Sequence, residues 1–117
     1  MRLLVQVATG PENPTRAALG LLTARTAAEE GHDVRVFLAG DGVQLARPET
    51  ADATQGIGSG SVADHWRALA DAEVPVFLSG RSSEARGIGA DTRPGVELVP
   101  PAKLVELAAW ADSALVY

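Results

Sequence analysis

The 117-residue sequence contains no cysteine. Disulfides, thiolate-bound zinc and a thiol nucleophile are therefore excluded together. Aromatic residues are also scarce, at 4%, although apolar residues make up 46% of the chain. The core must therefore be built mainly from alanine, valine and leucine. Length and composition predict one domain, residues 1–117, with a hydrophobic core of its own.

Positive charge is limited as well. Ten basic residues stand against fifteen acidic ones, and the net charge of −5 argues against binding to the phosphate backbone of nucleic acids. No apolar run approaches the roughly 20 residues that cross a bilayer, and the first residues read as a strand without the layout of a signal peptide. The two histidines lack the surrounding ligands of a metal site. We therefore expect a cytoplasmic protein with no cofactor, no metal, no membrane partner and no nucleic-acid partner.

Strand-like and helix-like segments alternate along the chain. Strands are predicted at 3–8, 34–39, 74–78, 96–99 and 113–117, and helices at 14–30, 43–47, 62–72, 82–86 and 100–111. Asn13-Pro14 favours a helix start, because Asn caps free N–H groups and Pro fits the first turn. The segment 48–60, rich in small residues, predicts a long loop. The alternation predicts an α/β fold with a parallel sheet and helices on both faces.

Small and polar residues follow three of these strands at one edge of the sheet. Thr9-Gly10 follows the first strand, Gly40-Asp41-Gly42 the second and Ser79-Gly80 the third. The carboxyl edge of an open α/β sheet is the usual place for a ligand. The turn after Ser79 opens a short helix whose first N–H groups lack helical partners, which favours weak binding of a small anion. The predicted ligand-binding residues are Thr9, Asp41, Ser79, Gly80, Arg81, Ser82 and Ser83.

Each of these residues also has a purely structural interpretation. Ser79 as a nucleophile needs a base, and the chain lacks the G-x-S-x-G elbow of serine hydrolases. His32 precedes the second strand and lies about 20 Å away at the opposite edge, whereas His65, at the start of a crossover helix, is better placed. A capping role for Ser79 is favoured. For Arg81 and Arg86, ion pairs are favoured over anion binding, and Asp41 suits a turn.

Five segments, in this order and spacing, resemble the DsrE-like (YchN-like) sulfur-relay family over essentially the whole chain. They are Gly10–Ala18, Ala27–Val34, Phe37–Val43, Ser79–Gly87 and Ala111–Tyr117. The resemblance implies a three-layer α/β/α domain with five parallel strands in the order 4-3-2-1-5. It also implies small homo-oligomers, often trimers or pairs of trimers. The cysteine that carries persulfide in this family corresponds to Ser79, whose hydroxyl cannot hold a persulfide.

The sequence therefore predicts a DsrE-like protein without cysteine-dependent sulfurtransferase activity. The favoured role is a noncatalytic homo-oligomeric binding or assembly subunit, with self-association into a trimer and a crevice for a small anionic ligand at the carboxyl edge. The alternative is an enzyme of sulfur-metabolite handling or hydrolysis that uses Ser79 or another oxygen nucleophile. Neither a pathway nor a ligand follows from the residues alone.

Overall fold

A computed structural model describes residues 1–117, which form seven strands, five α-helices and one 3₁₀ helix. The strands are β1 (Arg2–Val7), β2 (Asp33–Leu38), β3 (Gln55–Gly56), β4 (Gly60–Ser61), β5 (Val76–Ser79), β6 (Val96–Val99) and β7 (Ser113–Val116). The α-helices are α1 (Pro14–Glu29), α2 (Pro48–Ala53), α3 (Val62–Asp71), α4 (Gly80–Ala85) and α5 (Pro101–Trp110), and the 3₁₀ helix spans Gly40–Ala46. None of the helices combines the length and the apolar character that a membrane crossing requires.

The central sheet is parallel and has the order β6-β5-β2-β1-β7. In chain order this is the predicted 4-3-2-1-5 arrangement, which is confirmed. The neighbouring inner strands β1 and β2 carry fully buried side chains, and Val5 and Val36, which lie side by side, have no exposed surface. Strands covered on both faces lack the polar alternation of half-exposed strands, as their sequences predict.

The two faces of the sheet are covered unequally. A cluster of 22 buried residues fills the space between one face and the helices α1 and α3, with Leu21 and Leu69 among its largest side chains. A cluster of five, centred on Phe37, Phe77 and Leu107, lies under α5 on the other face. The result is the expected three-layer α/β/α domain, with a thin third layer.

Alanine and glycine let α1 lie close to the sheet. The buried side of α1 contains Ala17, Ala18, Ala24 and Ala27 in addition to Leu21. A Cβ added to Gly20 would come within 2.7 Å of a methyl group of Val7. Because these side chains are small, α1 lies close to the sheet, and the interior stays close-packed without large side chains.

The prediction of a long loop over residues 48–60 is wrong. Pro48 occupies the first turn of α2, where its missing N–H group costs nothing, and Glu49 adds an acidic residue favoured at that end. A two-stranded hairpin, β3 and β4, follows this helix. Its turn depends on glycine, because Gly58 and Gly60 have φ angles of +79° and +85°.

The hairpin is fastened to α1 and α3 through Ser59. The Ser59 hydroxyl donates to the Thr15 carbonyl oxygen at 2.9 Å, and the Thr15 hydroxyl accepts from the Ile57 N–H at 3.0 Å. The Nε2 atom of His65 lies 2.6 Å from the Ser59 carbonyl oxygen. Since a carbonyl only accepts, Nε2 carries the proton, and Nδ1 faces the Arg25 guanidinium at 3.5 Å. His65 therefore serves as a buried structural anchor.

Replacing His65 by alanine should lower the free energy of unfolding by about 1–3 kcal/mol, because the carbonyl of the buried Ser59 loses its partner. Local cleavage of the hairpin by protease should also accelerate. Ile57→Ala is the matched control, since this hairpin side chain is 90% exposed. Urea unfolding and limited proteolysis would measure both effects, and equal behaviour of the two variants would contradict the anchoring role.

Candidate functional site

Ser79 ends β5 and caps α4. Its hydroxyl oxygen accepts a hydrogen bond from the Ser82 N–H at 3.2 Å. This satisfies one of the free N–H groups at the start of the helix and accounts for a serine at this position. The hydroxyl proton of Ser79 is not used in this bond, so it can still be donated to a ligand.

Ser82 and Arg86 join α4 to the 3₁₀ helix that follows β2. The Ser82 hydroxyl accepts from the Gly40 N–H at 2.9 Å. The Arg86 Nε donates to the Asp41 carboxylate at 3.0 Å, and its Nη1 donates to the Ser82 carbonyl oxygen at 3.1 Å. Arg86 therefore forms an ion pair, as predicted, and its partner is Asp41. Asp41 lies at the predicted edge, but its carboxylate is occupied by an intramolecular partner.

The other end of α4 is held by Arg47. Its guanidinium donates to the carbonyl oxygens of Arg86 and Gly87 and to the carboxylate of Asp91, the last at 2.7 Å. The Gly89 N–H and the Arg47 guanidinium hold the pKa of Asp91 below its ordinary range. The role of Arg47 does not follow from the sequence, because nothing in its neighbours along the chain indicates contact with residues about 40 positions away.

The turns after β1 and β2 touch backbone to backbone. A Cβ on Gly10 would collide with the Asp41 carbonyl oxygen, and a Cβ on Gly42 would collide with the Val7 carbonyl oxygen. The Gly10 N–H is bound by the Glu12 carboxylate at 2.8 Å. These contacts bring the loop at Thr9 against the loop at Asp41. The Asp41 loop is itself bonded to Ser82 and Arg86 at α4.

The predicted residues thus lie along one surface, which we call the carboxyl-edge cluster and define as Thr9, Asp41, Ser79, Gly80, Arg81 and Ser82. Arg81 is exposed and forms no ion pair. Ser83 differs from the expectation, because it is 1% exposed and its hydroxyl has no hydrogen-bond partner. The Ser83 side chain lies on the buried side of α4, so it is not part of the surface available to a ligand.

Within the carboxyl-edge cluster, Asp41 and Arg81 are exposed and the other four residues are half-buried. None of the four surface cavities is lined by its residues. The largest, about 480 Å³, lies between the segment after β1 and α2, and its lining includes Pro11, Pro14, Glu49 and Thr50. The sequence does not predict this groove, because the composition of residues 48–60, which include α2, is typical of a loop.

No base is positioned to activate Ser79. His65, which the sequence placed nearer to the site, is bound to Ser59 instead. His32 contacts the N-terminal amine of Met1 at 2.9 Å. Neither histidine is hydrogen bonded to Ser79, and no group of three or more acidic or histidine side chains could hold a metal ion.

Comparisons with known proteins point to one family and one fold. A family model described as the DsrE/DsrF-like family matches residues 1–117. The crystal structure of the ychN protein from E. coli superimposes with a TM-score of 0.81 at 26% identity, covering 100% of both chains. A protein of unknown function from Methanobacterium thermoautotrophicum, MTH1491, shares the fold with a TM-score of 0.72 at 16% identity, over 99% of this chain and 98% of its own. No curated protein sequence matches significantly.

Gly10→Ala should destabilise the protein by about 1–3 kcal/mol, because the new methyl group must displace the Asp41 carbonyl and with it the contact between the two turns. Gly89→Ala is the control, since a Cβ there meets nothing within 4 Å. Thermal unfolding and amide spectra would compare the variants. If Gly10→Ala were as stable as Gly89→Ala, the close packing of the turns would not constrain the edge.

Proposed function

The chain belongs to the DsrE/DsrF-like family, and we propose that it serves as a noncatalytic, homo-oligomeric binding or assembly subunit rather than as a carrier of sulfur. One observation carries the proposal: the chain has no cysteine, and Ser79 stands where the family resemblance places the sulfur-carrying residue. Thiolate is the nucleophile in thiol–disulfide exchange, and serine offers none. The capping bond to Ser82 gives Ser79 a structural role that needs no chemistry.

The proposed ligand is a small anion bound at the carboxyl-edge cluster. The hydroxyls of Ser79 and Ser82 each accept one N–H bond, so each keeps a proton to donate. Arg81 adds a positive charge without an acidic partner. The six residues of α4 contribute only about 0.3–1 kcal/mol through the helix dipole. The carboxylate of Asp41 opposes an anion nearby, so binding by the single subunit is expected to be weak.

Self-association is the second part of the proposal. A closed homo-oligomer, with the trimer as the favoured form, would bury apolar surface that the subunit leaves exposed, such as Val105 at 71% and Val116 at 63%. A neighbouring subunit would also supply the wall that the open carboxyl-edge cluster lacks. The proposed location is the cytoplasm, and the proposed partners are other copies of the chain and the anion.

An enzyme with an oxygen nucleophile at Ser79 remains the alternative, and it would need a base from another subunit. Within the subunit, the Ser79 hydroxyl accepts a hydrogen bond from the backbone N–H of Ser82. Both histidines are occupied elsewhere. The binding role is therefore preferred.

Titration with phosphate, sulfate or thiosulfate should shift the amide signals of residues 79–82 first. Arg81→Gln should weaken binding at least threefold, because it removes the free positive charge beside the serine hydroxyls. Arg67→Gln is the control, since Arg67 is an exposed arginine on α3 that pairs with Asp64. Shifts confined to other arginines, or equal affinities of the two variants, would count against the site.

Incubation with a persulfide donor should leave the wild-type mass unchanged after denaturation, since the chain offers no thiol. Ser79→Cys should gain one sulfur atom, because a thiol capping α4 lies beside free N–H groups and Arg81, which lower its pKa. Ser61→Cys, at the capping position of α3, is the matched control and should react more slowly. A stable adduct on the wild type would refute the proposal that the chain does not carry sulfur. Equal rates of sulfur uptake by the two variants would show that the position of Ser79 does not enhance the reactivity of a thiol.

A further inference from the structure

A groove of about 250 Å³ opens at the edge of the sheet opposite to the carboxyl-edge cluster. It lies between the end of α3 and the first residues of β5 and β6, so we call it the amino-edge groove. Six of its eight lining residues are hydrophobic, among them Trp66, Leu69, Val74, Val76 and Val96. The fold therefore leaves an apolar surface uncovered where these parallel strands begin.

The amino-edge groove reaches the main hydrophobic core. Trp66, Leu69 and Val76 are at most 7% exposed, and they belong to the cluster of 22 buried residues between the sheet and the helices α1 and α3. Val74 and Val96 are half-buried and pack against the same cluster. An apolar group that binds here removes water from its own surface and from the edge of the core, which is the usual driving force for binding of a small molecule.

Backbone hydrogen bonds hold both sides of the amino-edge groove in place. Glu73 ends α3 with a φ angle of +56°, and the Val74 N–H then bonds back to the Leu69 carbonyl oxygen at 3.0 Å. On the other side, the Arg93 N–H donates to the Ala46 carbonyl oxygen at 2.9 Å, which ties the segment before β6 to the 3₁₀ helix. The groove is therefore formed before any ligand arrives, as most small-molecule sites are.

Arg93 places a positive charge beside this apolar surface. Its guanidinium carbon lies 5.5 Å from the centre of the Trp66 ring, and the next residue in the chain, Pro94, lines the groove. The Nε atom of Arg93 is buried and has no hydrogen-bond partner. The nearest carboxylate oxygen, on Asp52, is 3.9 Å from Nη2, which is too far for a hydrogen bond. A buried donor without an acceptor is costly, so the guanidinium favours an additional anionic partner.

We propose that the amino-edge groove binds a small organic acid with one carboxylate and a compact apolar body, such as an aromatic ring. The apolar body lies against Trp66, Leu69 and Val76. The carboxylate takes the place of the distant Asp52 oxygen and, after a small rotation of the Arg93 side chain, accepts from Nε and Nη2 together. Arginine suits this role because its planar fork matches both oxygens of a carboxylate. The site is separate from the carboxyl-edge cluster and does not depend on the function proposed above.

Size and charge limit which acids fit. Pockets for drug-sized molecules measure about 300–1,000 Å³, so a groove of about 250 Å³ accommodates one ring or a short branched chain rather than a nucleotide or a long acyl chain. The exposed carboxylates of Asp52, near the guanidinium, and Glu73, at the end of α3, disfavour a second negative charge on the ligand. A monoanion with an apolar body therefore matches the groove better than a phosphate ester does.

Benzoate is the probe for this site, and benzyl alcohol is its uncharged counterpart of similar size. Titration of the full chain with benzoate should shift the amide signals of residues 69–74 and 95–96. Benzyl alcohol should bind about tenfold more weakly, because it lacks the charge that strengthens bonds to the guanidinium. Arg93→Met, which keeps an apolar stem, should weaken benzoate binding by about the same factor. Arg67→Met is the matched control, since Arg67 is an exposed arginine on the same helix as Trp66.

A variant that fills the groove tests the site without changing the arginine. Ala70→Phe, at the exposed rim, should abolish the benzoate shifts, whereas Ala72→Phe, which is exposed and outside the lining, should preserve them. Equal affinities of the wild type for benzoate and benzyl alcohol, or undiminished benzoate binding by Arg93→Met or Ala70→Phe, would overturn the proposal. Shifts confined to residues 79–82 would place the acid at the carboxyl-edge cluster and would also overturn it, while leaving the anion binding proposed there intact.

Discussion

Direct contact between backbones at the carboxyl edge of the sheet sets the geometry of the elements around it. The turns after β1 and β2 meet without intervening side chains at Gly10 and Gly42, and α1 approaches β1 at Gly20. With so few aromatic residues in the chain, density is reached by bringing elements closer rather than by filling space with large side chains. The same contact places the segment that follows β1 against the 3₁₀ helix, and so determines which residues share the carboxyl edge.

The edge is stabilised by polar bonds that use groups otherwise available to a ligand. Asp41 is neutralised by Arg86, and the Ser79 and Ser82 hydroxyls accept backbone N–H bonds. What remains for binding is the proton of each hydroxyl and the unpaired charge of Arg81. The surface therefore combines a hydrogen-bonded framework with few free donors, and no base is bonded to Ser79 to activate it as a nucleophile.

The positions of the strands and of most helices follow from local sequence, because apolar runs and caps such as Asn13-Pro14 act over a few residues, whereas the strand order was implied by the family resemblance. The structure of segment 48–60 does not follow from local sequence, since its composition resembles a loop. Its hairpin is held in place by contacts with Thr15 and His65, which are distant along the chain or belong to another element. The edge residues were predictable from topology alone, but their partners were not. Gly40 and Ser82 are 42 positions apart, and no pattern in either segment indicates the bond between them.

The position of Ser79 explains how a fold associated by resemblance with sulfur relay can persist without a thiol. By the family resemblance, the residue at this position has two separable tasks: to start α4, and to present a reactive atom at the edge. The first needs an oxygen that accepts from the Ser82 N–H, and serine is among the best residues for it. The second needs a thiolate, which serine lacks. Because the two tasks depend on different properties of one side chain, the reactive one can be absent while the turn, the helix and the link through Ser82 to Gly40 stay intact.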